Sequence, residues 1–201
     1  MPRTLSAEQV EEFRARLCAV AQHRFATQGR DAVSMRQLAD ALGCSPMTPY
    51  RYFRNKDEIL AAVRAAAFDR FAAALEGAVA GAGHDAAAAG QAVGQAYVRF
   101  ALEDPDGYRL MFDVAQPHPD RYPELMRASG RARTTMTASI EALVAAGIFH
   151  GTPELLGLAF WSAMHGLVML HLAGKLPGEP DFETIRREIM RLLVTGARTA
   201  A

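Results

Sequence analysis

A chain of 201 residues, half of them hydrophobic, has material for one large or two small packed domains. Its 22 basic and 22 acidic residues cancel, and Cys18 and Cys44 have neither the number nor the spacing of a disulfide framework or a zinc site. No period of about 20–50 residues repeats, which excludes a solenoid.

The zero net charge hides an uneven distribution. Met1 to Lys56 holds 9 Lys and Arg against 5 Asp and Glu, so that stretch is +4 and the remainder is −4. A basic end on an acidic body suits a protein that meets phosphate at one end only. Two cysteines without a framework fit a reducing cytoplasm, and charges from Glu8 to Arg16 interrupt the apolar core that a signal peptide would need. Abundant alanine with scarce isoleucine favours helix over strand.

The expected fold is all-α, with about nine helices. The first, near 6–28, carries Val10, Phe13, Leu17, Val20 and Phe25 along one side, and Ser6 with Gln9 has capping-box spacing. Ser34 with Gln37 opens a short helix near 34–42, and a third is expected near 46–53, with Ser45 as its cap. Asn55 with Glu58 opens a long helix near 56–80. Ala78 to Ala89, rich in alanine and glycine, reads as a flexible turn. Helices near 85–103, 105–113 and 119–146 follow; Asp104-Pro105 puts a capping residue before a first-turn proline, and His118, between two prolines, falls in a loop. Thr152-Pro153 starts a helix near 153–173, and the last lies near 181–197. Gly29, Gly43, Gly147 and Gly174 stand where helices would end.

The informative stretch is Ser34 to Lys56, SMRQLADALGCSPMTPYRYFRNK. Two short helices joined at Gly43-Cys44, with the small pair Ala39 and Gly43 for a close crossing, have the form of a helix-turn-helix, pinned by Leu38, Leu42 and Phe53. Ser45, Met47, Thr48, Tyr50, Arg51 and Tyr52 supply hydroxyls, a guanidinium and an apolar tip for phosphates and base edges. Ser34, Arg36 and Lys56 are further candidate contacts to the phosphate backbone. The partner these residues imply is double-stranded DNA.

Gly43-Cys44-Ser45, Tyr50-Arg51-Tyr52-Phe53 and Asn55-Lys56-Asp57-Glu58-Ile59-Leu60 together resemble the TetR family of regulators, over roughly residues 6–65. One departure is Pro49, where the family usually has a branched apolar residue. Proline cannot sit deep in a helix, so the regular helix is expected to begin later, with Thr48 as its cap. Trp161 followed by His165-Gly166 resembles the Trp…His-Gly subtype of the family's effector domains. The resemblance implies a DNA-binding domain over residues 1–56 and a helical effector-binding and dimerisation domain over 57–201. It also implies an inverted-repeat operator, a small-molecule effector, and a homodimer built mainly from the last two helices.

Within the second domain, Trp161, Met164, His165 and Val168 share one helix face. Tyr97, Phe100, Tyr108, Met111 and Phe112 could stand opposite and enclose a largely apolar ligand, with His165 and Tyr97 as polar handles. The same stripe is also what a plain helical core looks like; the family resemblance favours the pocket. The other face of that helix, Ala159, Ala163, Gly166 and Leu170, is assigned to the dimer, together with Phe182, Ile185, Ile189 and Leu192 of the last helix.

Leu155 to Ala173 contains no Asp, Glu, Lys or Arg and could just span a bilayer, but His165, His171 and Ser162 inside it favour a helix of a globular protein without membrane contact. Catalytic signatures and cofactor-binding loops are lacking, so neither an enzyme nor a cofactor or metal is expected. A helical scaffold, a ligand-gated activator, and a redox role for Cys44 in the turn are the alternatives to a repressor.

Overall fold

A computed structural model describes residues 6–112 and 119–199; His118 lies outside them. Every regular element among the described residues is helical. In chain order these are α1 Ala7–Gln28, α2 Met35–Ala41, α3 Lys56–Ala82, α4 Ala86–Glu103, α5 Pro105–Phe112, α6 Pro123–Ala145, α7 Pro153–Leu172 and α8 Phe182–Arg198. Short 3-10 turns occupy Pro49–Arg51 and Pro119–Arg121.

Local chemistry sets most of the helix ends. Ser6 accepts from the Gln9 amide at 3.2 Å while Gln9 accepts from the Ser6 amide at 3.0 Å, a closed capping box. Ser34 and Gln37 close a second. The third box closes by half: Asn55 Oδ1 accepts from the Glu58 amide at 3.0 Å, but the Glu58 carboxylate accepts from the amide of Arg54 rather than of Asn55. Gly43 turns the chain after α2 at φ 65°, a conformation that a Cβ would strain. The flexible turn expected over 78–89 is shorter than its composition suggests. Alanine carries α3 to Ala82, and Asp85 then caps α4 by accepting from the amides of Ala87 and Ala88.

The chain divides into two compact units. One comprises Met1–Asp69 and Asp106–Ser129, the other Arg70–Pro105 and Gly130–Ala201. The core of the first gathers Leu17, Ala21 and Phe25 of α1, Val33, Met35 and Leu38 around α2, Phe53, Ile59, Leu60 and Val63 into α3, and Leu110 of α5. Each helix thus buries one side against the others, and burial at about 25 cal/mol per Å² holds the short α2 in place. In the second unit, α4 packs on α7 and α7 on α8. Leu143, Phe149 and Ala197 are buried there among Ile140, Leu156, Phe160 and Val194, with the Phe149 and Phe160 rings stacked 5.6 Å apart. Phe71 meets the rings of Tyr97 and Phe100 at 5.3 and 5.1 Å.

Candidate nucleic-acid interface

The segment after α2 departs from the helix expected near 46–53. Only Pro49–Arg51 is regular, and it is a 3-10 turn. The cause is the pair Pro46 and Pro49, three residues apart, which removes two amide donors from a stretch too short to spare them. The remaining amides bond mostly three residues back: Thr48 to Ser45 at 2.8 Å, Arg51 to Thr48 at 3.0 Å and Tyr52 to Pro49 at 3.0 Å. Thr48 stands at the cap position with helical dihedrals, φ −63° and ψ −46°, and makes no side-chain cap bond; the capping expected of it is not seen. Ser45 Oγ accepts from the amide of Met47 at 3.4 Å.

The nine residues singled out as contacts sort into two groups. Ser34, Arg36, Ser45, Met47, Tyr50 and Arg51 are exposed. Met47, at 68% exposure, is among the most exposed large hydrophobic side chains described. Arg36 and Arg51 make no ion pair or side-chain hydrogen bond among the described residues, so their donors are free for phosphate. Thr48, Tyr52 and Lys56 are half-buried. Tyr52 lies stacked on Phe13 of α1 with ring centroids 4.3 Å apart. Lys56 donates from Nζ to the carbonyls of Arg30 and Asp31 at 3.0 and 3.3 Å.

Four contacts have no local signal in the sequence. Arg14 of α1 donates from Nη1 to the carbonyl of Tyr52 at 2.9 Å, and its guanidinium sits 4.3 Å from the centre of the Phe53 ring. Arg30 donates from Nε to Asp57 at 2.6 Å, a bond that holds the guanidinium above its usual pKa. His23 Nδ1 lies 2.9 Å from Asp106 Oδ2 at the start of α5. Each joins residues 27 or more apart in the chain, beyond the reach of any periodic pattern. Cys44 is half-buried in the turn, its Sγ 3.5 Å from the Ala39 carbonyl.

The candidate ligand residues fall in both units. In the first, Tyr108 and Met111 are fully buried, Phe112 meets Tyr108 edge-on at 5.1 Å and Phe68 at 5.8 Å, and the Met111 carbonyl accepts from Arg64. In the second, Tyr97, Phe100, Met164 and Val168 are buried, and Trp161 lies near the surface with its ring 6.0 Å from that of His165. Burial pushes the His165 imidazole below its usual pKa, so the ring is neutral at physiological pH. Phe100 also borders an open groove of about 440 Å³ between α3 and α4, rimmed by Gln95, Arg99 and Glu103.

Of the residues assigned to a dimer, Ala159, Leu170 and Leu192 are exposed, and Ala163, Gly166, Phe182, Ile185 and Ile189 half-buried. Leu155, 67% exposed, extends that face of α7, and Leu158, 54% exposed, lies at its edge towards Trp161; the helix is long and apolar enough to cross a membrane by length and composition alone. The ring of His171 lies 4.6 Å from that of Phe182 and ties the end of α7 to the start of α8.

Residues 17–63 match the profile of the bacterial regulatory proteins of the tetR family, and residues 90–193 that of a tetracyclin repressor-like C-terminal domain. Among solved structures, a protein of unknown function from Rhodococcus sp. RHA1 is 27% identical with a TM-score of 0.79, covering 99% of this chain and 100% of its own. A tetR-family regulatory protein from Rhodococcus RHA1 shares the fold at 23% identity and TM-score 0.75, covering 94% of this chain and 98% of its own. The TetR-family regulator PfmR from Thermus thermophilus does so at 24% and 0.72, covering 90% and 97%. No curated protein matches the chain.

Proposed function

Because the chain belongs to the tetR family of bacterial regulatory proteins, DNA-binding regulators of transcription with a helix-turn-helix, we propose that it is a cytoplasmic repressor released from an inverted-repeat operator by a small, largely apolar ligand. Residues 1–56 bind DNA and residues 57–201 bind the effector and dimerise. The observation that carries the DNA reading is the exposed set Ser45, Met47, Tyr50 and Arg51 on a hydrogen-bonded turn, with Arg36, unpaired among the described residues, on the adjoining helix. Arg36, Arg51 and Ser34 grip phosphates, which fixes register; Met47 and Thr48 meet base edges, where an apolar tip suits a thymine methyl.

Dimerisation runs through α7 and α8. Leucines at 155, 158, 170 and 192 stand in water in the single chain, beside the small residues Ala159, Ala163 and Gly166 that let a second helix approach. Two copies then present two reading turns to two half-sites. The effector binds in the helical body beside α4 and α7, where neutral His165 is a polar handle among apolar side chains. Trp161 and His165-Gly166 on one helix support the Trp…His-Gly subtype. A ligand that prefers a different spacing of the two reading turns weakens DNA binding by its differential affinity for that arrangement.

The test is binding to labelled DNA from the region upstream of the gene, at several salt concentrations, by wild type and by an Arg36→Ala, Arg51→Ala double variant. Sequence-selective binding that weakens with salt, with the slope of log K against log salt reduced by about 4 in the variant (two arginines in each of two protomers), is expected. Equal binding by both proteins would overturn the contact assignment. Sedimentation of Leu158→Glu checks the interface, with a shift from dimer to monomer expected.

A further inference from the structure

The reading turn is short, lacks two amides and is held from outside by two consecutive residues of α1. Phe13 stacks on the Tyr52 ring, and Arg14 takes the Tyr52 carbonyl while lying over the Phe53 ring. A helix of ordinary length spends its last carbonyls on capping groups; here the cation of Arg14 takes the carbonyl that follows the last regular residue, Arg51. Arg14 is committed to that place. Its side chain is 30% exposed, and it also pairs with Glu11, one turn earlier at 3.8 Å. Resting on the DNA-binding reading above, we propose that Phe13 and Arg14 are positioning residues for DNA recognition. They fix the pitch of the proline-interrupted turn on α1 and so the aim of the base readers Met47 and Thr48 at its start, without touching DNA themselves.

A guanidinium can donate in its plane while its face lies on a ring, because it is flat and forked; an ammonium keeps the charge but has no flat face to stack, and an amide has no charge. Base-edge contacts need fixed aim, whereas attraction to phosphate needs mainly charge. Loss of the clamp should therefore cost selectivity more than general affinity.

The probes are the duplex that wild type enriches from a randomised library and the unselected library itself. Arg14→Gln is expected to bind the enriched duplex about tenfold more weakly, the unselected library less than about twofold more weakly, with the salt slope unchanged. Arg14→Lys recovers part of the loss. Amide exchange at Tyr52 and Phe53, read in the free protein, quickens in Arg14→Gln. Unchanged exchange, or unchanged affinity for the enriched duplex, overturns the proposal while leaving the DNA reading intact. Equal loss on both duplexes with a slope lowered by about 2, one contact from each protomer, also overturns it, since Arg14 would then be a phosphate contact. If wild type enriches no sequence, the DNA reading itself falls and the positioning role falls with it.

Discussion

Lys56 Nζ donates to the carbonyl of Arg30, and the Arg30 side chain returns to Asp57, the next residue along α3. The loop after α1 is thus fastened to the first turn of α3 in both directions. An ammonium has three donors, and Lys56 spends two of them on the carbonyls of Arg30 and Asp31. Lys56→Met should lower the free energy of unfolding by about 1–2 kcal/mol in a urea titration, because charged hydrogen bonds of part-exposed groups are worth that much. Asp57→Asn should be non-additive with it, since both changes loosen one joint.

Pro49 is buried, and its missing amide keeps the Ser45 carbonyl for Thr48. In Pro49→Ala the restored amide gains a bond worth about 0.5–1.5 kcal/mol, and the freer unfolded chain costs about 0.4–1 kcal/mol. Stability should therefore move by less than about 1 kcal/mol, while circular dichroism at the helical minimum deepens and the enriched DNA sequence changes. An unchanged spectrum would assign the 3-10 form to Pro46 or to packing instead.

Gly90 of α4 faces Leu143 of α6, and a Cβ at position 90 would stand 2.9 Å from Leu143 Cδ1. Alanine in a helix interior is favoured over glycine by about 1 kcal/mol, but overpacking costs about 1–3 kcal/mol. Gly90→Ala should be destabilising by about 1 kcal/mol, and in a Leu143→Val background the sign should turn favourable. Thermal unfolding of the four proteins in the cycle measures the coupling.

Burial pushes the Cys18 thiol up to about 11 from 9.0, with Arg14 opposing and Glu11 adding. The folded chain therefore keeps the thiol proton more tightly than the unfolded one. The resulting stability is fully present below pH 9 and is lost as the pH rises through about 11. Over that window wild type should lose up to about 2–3 kcal/mol more than Cys18→Ala, a comparison that cancels the other groups titrating there. Parallel pH curves would show that Cys18 titrates alike in both states. At about pH 8 the thiol should also react with alkylating agents only slowly.

Local chemistry made the helix ends legible. Ser6, Ser34 and the glycines at 29, 43, 147 and 174 mark real termini, because caps and positive φ depend on one or two neighbouring residues. The third element is a 3-10 turn rather than a helix because Ser45 signals a helix start while Pro46 and Pro49 deny it the hydrogen bonds to continue. Phosphate-like chemistry could be read from Lys56 and Tyr52, but not that one holds the Arg30 loop and the other lies on Phe13. Those partners are 26 and 39 positions away, and only packing brings them together. The apolar run in α7 likewise indicates burial without saying whether its cover comes from the same chain.

The leucines along α7 and α8 have a consequence at equilibrium. If their cover is a second copy, the cost of leaving them in water falls only on the free protomer, and the folded state gains by mass action. The midpoint of thermal unfolding then has no single value but climbs with protein concentration. A cell that makes little of this protein would hold a less heat-resistant one than a cell that makes more.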